Sequence, residues 1–330
     1  MKFLKPSLIA LTLSATSLSN AYADMKVVTS IKPIHSLVAS VMQGAGTPSL
    51  IVEGANSPHN YALKPSQARN LQQADIVFWM GHDIEAFLEG AVETIAKDAK
   101  SVSLMDSHGI TKLAFREGGA FDAHDHGDHD DHDEHKHDEH GHDDHDEHDG
   151  HEGHNHGAFD PHLWLDPQNA KALVHEIEEH LVEIDPANAA LYEANAANLM
   201  TQLDVLTTEL TAELAPVADK GYIVFHDAYQ YFEKRFGLSA IGAITISPEV
   251  APGADRISEL QEKVRNLEAV CVFSEPQFQP KMVQLVTENT NAGTGVLDPL
   301  GASLQDGPDL YVTLIRNMAK SLKSCLSSHG

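Results

Sequence analysis

Positively charged residues are scarce in this sequence. Lysine and arginine together number 22 against 49 aspartates and glutamates, and the formal net charge at pH 7 is −27. A chain this acidic repels phosphate backbones, which argues against nucleic-acid partners. Cysteine is also rare, since Cys271 and Cys325 are the only two. A small scaffold held together by many disulfides is therefore excluded.

Long hydrophobic runs are missing after the N-terminal segment. Lys2 and Lys5 precede a short apolar stretch, and Ala21-Tyr22-Ala23 forms an A-x-A cleavage site behind it. This pattern is typical of a secretory signal peptide, and the apolar stretch is too short and too often interrupted by Ser and Thr to span a bilayer. We expect residues 1–23 to be removed by cleavage after Ala23 and the remainder to be exported as a soluble protein.

The two cysteines can pair with each other if the protein is exported. An oxidising compartment favours one disulfide between Cys271 and Cys325. Two buried free thiols are the alternative, and they are the less common outcome outside the cytosol.

One internal stretch, residues 122–156, has almost no apolar side chains. It contains thirteen histidines and fifteen acids, with Lys136 as its only base. Such a run cannot bury enough surface to order itself, so it predicts a mobile loop, and its imidazoles predict auxiliary weak metal sites. A solvated acidic linker or an expression tag is the alternative, although a tag would be terminal and nearly pure histidine. The histidines of the run are His124, His126, His129, His132, His135, His137, His140, His142, His145, His148, His151, His154 and His156.

Strand-like and helix-like patterns alternate along the rest of the chain. Strands are predicted at 26–30, 49–52, 76–80, 101–105, 222–225, 241–246, 269–273 and 295–297, with helices between them and a C-terminal helix at 309–326. Helical spacing from 186 to 214 predicts one helix of about 42 Å, which is long for a globular protein. The pattern indicates an α/β fold in which two similar doubly wound lobes are joined by a long rigid helix, with a metal cleft between them.

These patterns divide the chain into consecutive parts. They are the signal peptide (1–23), an N-terminal α/β lobe (24–121), a His/Asp-rich mobile loop (122–157), the remainder of the N-terminal lobe (158–184), the linking helix (185–216) and a C-terminal α/β lobe (217–330).

Several residues that could bind a metal lie past the ends of predicted strands. In open α/β sheets, small molecules and ions bind beyond the carboxyl ends of the strands. His59, His226, Glu275 and Asp298 occupy such positions, and His162 precedes a predicted helix. Three imidazoles from two lobes, completed by water or one carboxylate, make a tetrahedral zinc set. Glu275 and the residue after His226, Asp227, are candidates to orient a ligand imidazole from behind; a helix cap or a solvated side chain is the alternative for both.

Five motifs then carry a specific resemblance. S-P-H-N-Y-x-L-K-P-S, H-L-W-L-D-P, F-H-D-A-Y-x-Y-F, E-P-Q-F and L-D-P-L-G resemble those of ZnuA-type periplasmic zinc-binding proteins. The resemblance covers essentially the whole mature chain, and an acidic His-rich insertion before the second ligand is itself typical of that family.

The resemblance implies a set of zinc ligands. By position they are His59, His162 and His226, with Asp298 or water as the fourth. Pro58 stands where some members have a glutamate ligand. Manganese-binding relatives have glutamate at the position of His226, so the histidine points to zinc, which suits imidazole. The resemblance also implies the disulfide between Cys271 and Cys325.

The function implied is capture of Zn²⁺ in the periplasm as a transported ligand, without covalent chemistry. The implied partners are a membrane ABC permease and its cytoplasmic ATPase, with an accessory periplasmic zinc protein as a further candidate, and the protein itself is expected to be a monomer. A secreted zinc hydrolase or hydratase with Glu275 as general base is one alternative, because three histidines and an open position also form a catalytic pattern. A zinc buffer that acts through the His-rich run alone is another.

Overall fold

The structure is a computed structural model that describes residues 25–116, 121, 159–245, 248, 252–266 and 269–329. The predicted signal peptide and the His-rich run at 122–156 lie outside these residues. Within the described ranges, no helix combines the length and the apolar character that crossing a membrane requires.

The first lobe is a four-stranded parallel sheet with helices between its strands. The elements in chain order are β1 (Val27–Thr29), α1 (Lys32–Val41), β2 (Ser49–Leu50), α2 (Pro65–Gln72), β3 (Ile76–Trp79), α3 (His82–Thr94) and β4 (Lys100–Ser103), and the strand order is β2-β1-β3-β4. β1 and β3 are buried along their whole length, as expected of central strands covered on both faces. The predicted strand at 49–52 is shorter than expected, with two residues in the ladder.

A pair of helices follows the first lobe, α4 (Pro167–Ile184) and α5 (Ala189–Leu214). α5 has 26 residues, which corresponds to about 39 Å. Its buried side chains recur every three or four residues from Tyr192 to Leu214. α5 packs against α1 and α4 and against two later helices, α6 (Gln230–Phe236) and α9 (Leu310–His329). The predicted long helix is therefore present, although Pro186–Asn188 forms a separate 3₁₀ turn before it.

The second lobe repeats the arrangement of the first. Its elements are β5 (Tyr222–His226), α6 (Gln230–Phe236), β6 (Gly242–Thr245), α7 (Ala254–Arg265), β7 (Cys271–Ser274), α8 (Lys281–Thr287), β8 (Gly293–Val296) and α9 (Leu310–His329). The strand order β6-β5-β7-β8 matches that of the first lobe position by position, and all pairings are parallel. The two similar α/β lobes predicted from the sequence are confirmed.

Two features join the lobes into one body. The main hydrophobic core is continuous, since it contains strand and helix residues of both lobes together with the buried face of α5. The second feature is α9, which packs against α1 of the first lobe and is tied to β7 within the second lobe by the disulfide between Cys271 and Cys325, with a Cα–Cα distance of 6.2 Å. The predicted disulfide is thus confirmed.

Candidate metal centre

Three histidines converge from three separate segments. His59 lies in the loop after β2, His162 lies just before α4, and His226 is the last residue of β5. One ring nitrogen of each lies within 4.8 Å of those of the other two. The Nε2 atoms of His162 and His226 are 3.4 Å apart, close to the ~3.3 Å edge of a zinc tetrahedron with nitrogen ligands at ~2.0–2.1 Å. The structure therefore brings the three predicted histidines to one point.

Two of these histidines each donate a hydrogen bond from their second ring nitrogen to a carboxylate. Glu275 Oε1 accepts a hydrogen bond from His226 Nδ1 at 2.6 Å, and Asp160 Oδ1 accepts one from His162 Nδ1 at 2.8 Å. When Nδ1 carries the proton, Nε2 keeps its lone pair for a metal. β5 and β7 are neighbours in the sheet, which explains why Glu275 lies beside His226.

Asp160 was not predicted from the sequence. It is buried, and its Oδ1 also accepts the backbone N–H of His162 at 3.0 Å, which closes a local turn around the histidine. The signal that could have revealed it is the spacing D-x-H, since an aspartate often bonds the backbone two residues further on.

The surroundings shift the pKa values of these groups in different directions. Burial, with a contribution from nearby His226, lowers the pKa of His162 well below its usual value. Burial also lowers the pKa of His226, but Glu275 outweighs it and the net shift is upward. Burial raises the pKa of Asp160 to about 7. His162 is thus a neutral imidazole at physiological pH, the form that binds metal.

The nitrogens face a small cavity. It has about 270 Å³ of empty space, part of which is open to solvent. Its walls are mostly apolar, formed by Pro58, Trp164, Phe278, Pro299 and Leu300, and the polar groups besides the histidines belong to Ser57, Glu275 and Gln277. An ion bound by the three ring nitrogens fits in this space.

Two residues predicted for this site have other contacts. Asp227 forms a buried ion pair with Arg116, which also bonds Glu233 at 2.6 Å. Its charge opposes the lowering effect of burial on the pKa of His162 and His226 without a hydrogen bond to either ring. Asp298 lies outside the group of converging ligand atoms. Its carboxylate accepts the backbone N–H groups of residues 300–302 at 2.6–3.1 Å, and so caps its own loop. The structure therefore places Glu275 against a ligand imidazole but does not place Asp227 there.

Two parallel α/β lobes with a cluster of three histidines between them, two buried and one half-buried, define a metal-binding protein of the solute-binding class. Residues 27–325 match the family described as ZnuA, zinc-uptake complex component A periplasmic. The chain belongs to that family.

Individual relatives resemble the chain over nearly its whole length. It is 59% identical over 305 residues to the high-affinity zinc uptake system protein ZnuA of Brucella suis biovar 1 (strain 1330), with 91% of each chain covered. The protein of the same name from Yersinia pestis is 36% identical over 335 residues, with 98% of each covered. A crystal structure of a zinc-bound ZnuA deletion mutant superposes with a TM-score of 0.70 at 25% identity, covering 91% of this chain and 97% of the other.

Proposed function

We propose that this protein is the periplasmic component of a high-affinity zinc uptake system, which captures Zn²⁺ with His59, His162 and His226. The observation that carries the proposal is the convergence of three ring nitrogens within 4.8 Å, two of them from histidines that are at most 6% exposed. Because these nitrogens already lie close together, binding the ion needs little ordering of the chain, and such preorganisation favours high affinity.

The donor set suits zinc. Three imidazoles form a nitrogen-rich site that favours zinc, whereas manganese prefers oxygen ligands. The two carboxylates nearest the ligands, Asp160 and Glu275, bind the far sides of the rings. A bound cation would favour the ionised form of both carboxylates, including Asp160, whose pKa burial raises to about 7 when no ion is bound.

Delivery completes the function. We infer that the signal peptide is cleaved after Ala23, that a membrane ABC permease with its cytoplasmic ATPase receives the ion from this protein as a monomer, and that the histidines of 122–156 act as auxiliary weak sites. The names of the relatives, which describe zinc uptake systems, support this assignment.

The alternatives have less support. In a zinc hydrolase Glu275 would act as general base, but here one of its oxygens is bonded to Nδ1 of His226, a contact that orients the ring. A zinc buffer acting through the His-rich run alone would leave the three converging histidines without a role.

Replacing each histidine with alanine tests the proposal. We expect His59→Ala, His162→Ala and His226→Ala each to lose the tight site in calorimetric zinc titrations. His175→Ala is the matched control, because His175 is an exposed histidine on α4 that pairs with Glu178. If two of the three histidines can be replaced with little loss of affinity, the ion binds elsewhere.

A further inference from the structure

Two buried oxygen atoms beside the histidines receive no hydrogen bond from the described part of the chain. They are Oε2 of Glu275 and Oε1 of Gln277, and both residues line the cavity that the three imidazoles face. The hydroxyl of Tyr229 interacts with the Glu275 carboxylate, but its one hydrogen is donated to the backbone carbonyl of Leu297 at 3.3 Å. Buried acceptors without a donor are rare, so a pair of them in one small cavity indicates a ligand that donates hydrogen bonds.

The orientation of the Gln277 amide is set by a neighbour outside the cavity. Gln277 Nε2 donates to Asp298 Oδ1 at 3.0 Å. The carboxylate of Asp298 accepts hydrogen bonds from three backbone amides and from Nε2 of Gln277. If the side-chain amide of Gln277 were flipped, its Oε1 would face the carboxylate, and two acceptors would lie together without a hydrogen. The polar atom that Gln277 offers to the cavity is therefore Oε1.

The chemistry of the ion supplies a donor for both oxygens. Three histidines fill three positions of a zinc tetrahedron and leave one for water. A zinc-bound water is more acidic than bulk water, which makes its two O–H groups strong donors. Two O–H groups match two free acceptors.

We propose that Gln277 is a further residue of the zinc site: its Oε1 accepts a hydrogen bond from the water at the fourth position of the ion, and Glu275 Oε2 accepts the second. This inference rests on the proposed function, because it takes the three-histidine site as the place where zinc binds. Asp298 then serves as a positioning residue that holds the amide of Gln277, and does not act as a ligand. A neutral amide oxygen is not among the usual ligands of zinc, which favours contact through water over direct coordination.

A crystal structure of the full chain with zinc tests this directly and requires no variant. We expect a water at ~2.0–2.2 Å from the ion and within ~2.6–3.0 Å of Gln277 Oε1. A fourth ligand from the protein, whether Asp298, Glu275 or Gln277 itself, would overturn the proposal, as would a water that does not contact Gln277.

A matched pair of variants tests the same contact in solution. Gln277→Met keeps the length of the side chain and removes the acceptor, so we expect zinc affinity to fall about 10-fold, the usual scale for a lost hydrogen bond to a charged group. The visible spectrum of the Co²⁺-substituted protein should also change, which a purely structural role of Gln277 would not cause. Gln261→Met is the control, because Gln261 donates to Leu285 O at 2.8 Å away from the cavity.

The two proposals fail in different ways. If Gln277→Met binds zinc within twofold of Gln261→Met and has an unchanged Co²⁺ spectrum while the histidine variants lose the tight site, the role of Gln277 is wrong and the proposed function stands. If the histidine variants keep the tight site, the proposed function itself is wrong.

Discussion

Replacing Glu275 with glutamine changes the charge behind His226 and leaves the shape of the side chain nearly the same. Glu275 is 3% exposed, and its Oε1 accepts the hydrogen of His226 Nδ1 at 2.6 Å. A carboxylate can only accept here, so it requires the proton to sit on Nδ1. A glutamine can also donate with its amide, in which case the proton moves to Nε2 and blocks the atom that binds the ion.

The size of the effect follows from this contact. Groups that orient a metal-binding histidine typically contribute 10–100-fold to metal affinity, or about 1.4–2.8 kcal/mol. The contact between Glu275 and His226 is short and buried, and although burial lowers the pKa of His226, the Glu275 charge raises it overall. We therefore expect Glu275→Gln to weaken zinc binding by at least ~10-fold.

Competition with a chromophoric zinc chelator at pH 7 measures this change. Glu178→Gln is the control, because Glu178 accepts a hydrogen bond from His175 Nδ1 at 3.2 Å on the exposed side of α4. The control should bind zinc as the wild type does. Affinity of Glu275→Gln within twofold of the wild type would refute the reasoning that the carboxylate sets the proton position of His226.

Four further predictions concern selectivity, the insertion and stability. His226→Glu should shift preference towards manganese, because it exchanges a nitrogen ligand for an oxygen, and unchanged competition between the two metals would assign selectivity to the cleft geometry. Deleting residues 122–156 should lower the number of zinc ions bound in calorimetry and leave one tight site; loss of that site would show that the run supplies essential ligands. Replacing both Cys271 and Cys325 with serine should lower the free energy of unfolding by up to about 4 kcal/mol, since the bond closes a sequence separation of 54 residues, and an unchanged denaturation midpoint would contradict this. Burial raises the pKa of Glu85 from 4.5 to about 8, so in the folded protein this group keeps a proton that the unfolded chain loses. Stability of the wild type should therefore fall as pH rises from about 4.5 to 8, and Glu85→Gln should flatten this slope in denaturation series; equal slopes would contradict the shift.

The local patterns of the sequence were sufficient for most of the fold. Strands and helices lie close to the predicted ranges because buried runs and helical spacing are properties of short segments. The differences occur where tertiary contacts decide the ends of elements. β2 keeps two residues of the predicted 49–52, and His226 completes β5 instead of following it.

The candidate site could be predicted only in part. His59, His162 and His226 were found because each lies in a recognisable motif. The residues that surround the three histidines are held by hydrogen bonds and ion pairs between positions distant in sequence. Arg116 and Asp227, for example, are 111 residues apart. Asp298 is a residue type that often binds metal. The hydrogen bonds that its carboxylate accepts from backbone amides form only once the loop is folded, so the sequence did not reveal them.

The two ends of the segment that contains the insertion lie side by side. Ala114 and Phe159 form an antiparallel bridge, and Asp160 N donates to Leu113 O at 2.8 Å. For a loop whose ends are already joined, each doubling in length costs only about 0.6 kcal/mol in closure entropy. The number of residues between these ends can therefore grow or shrink over generations with little effect on folding, and at every length the segment ends at Phe159, three residues before His162. Evolution can thus change the length of this insertion without rebuilding the fold that brings His59, His162 and His226 together.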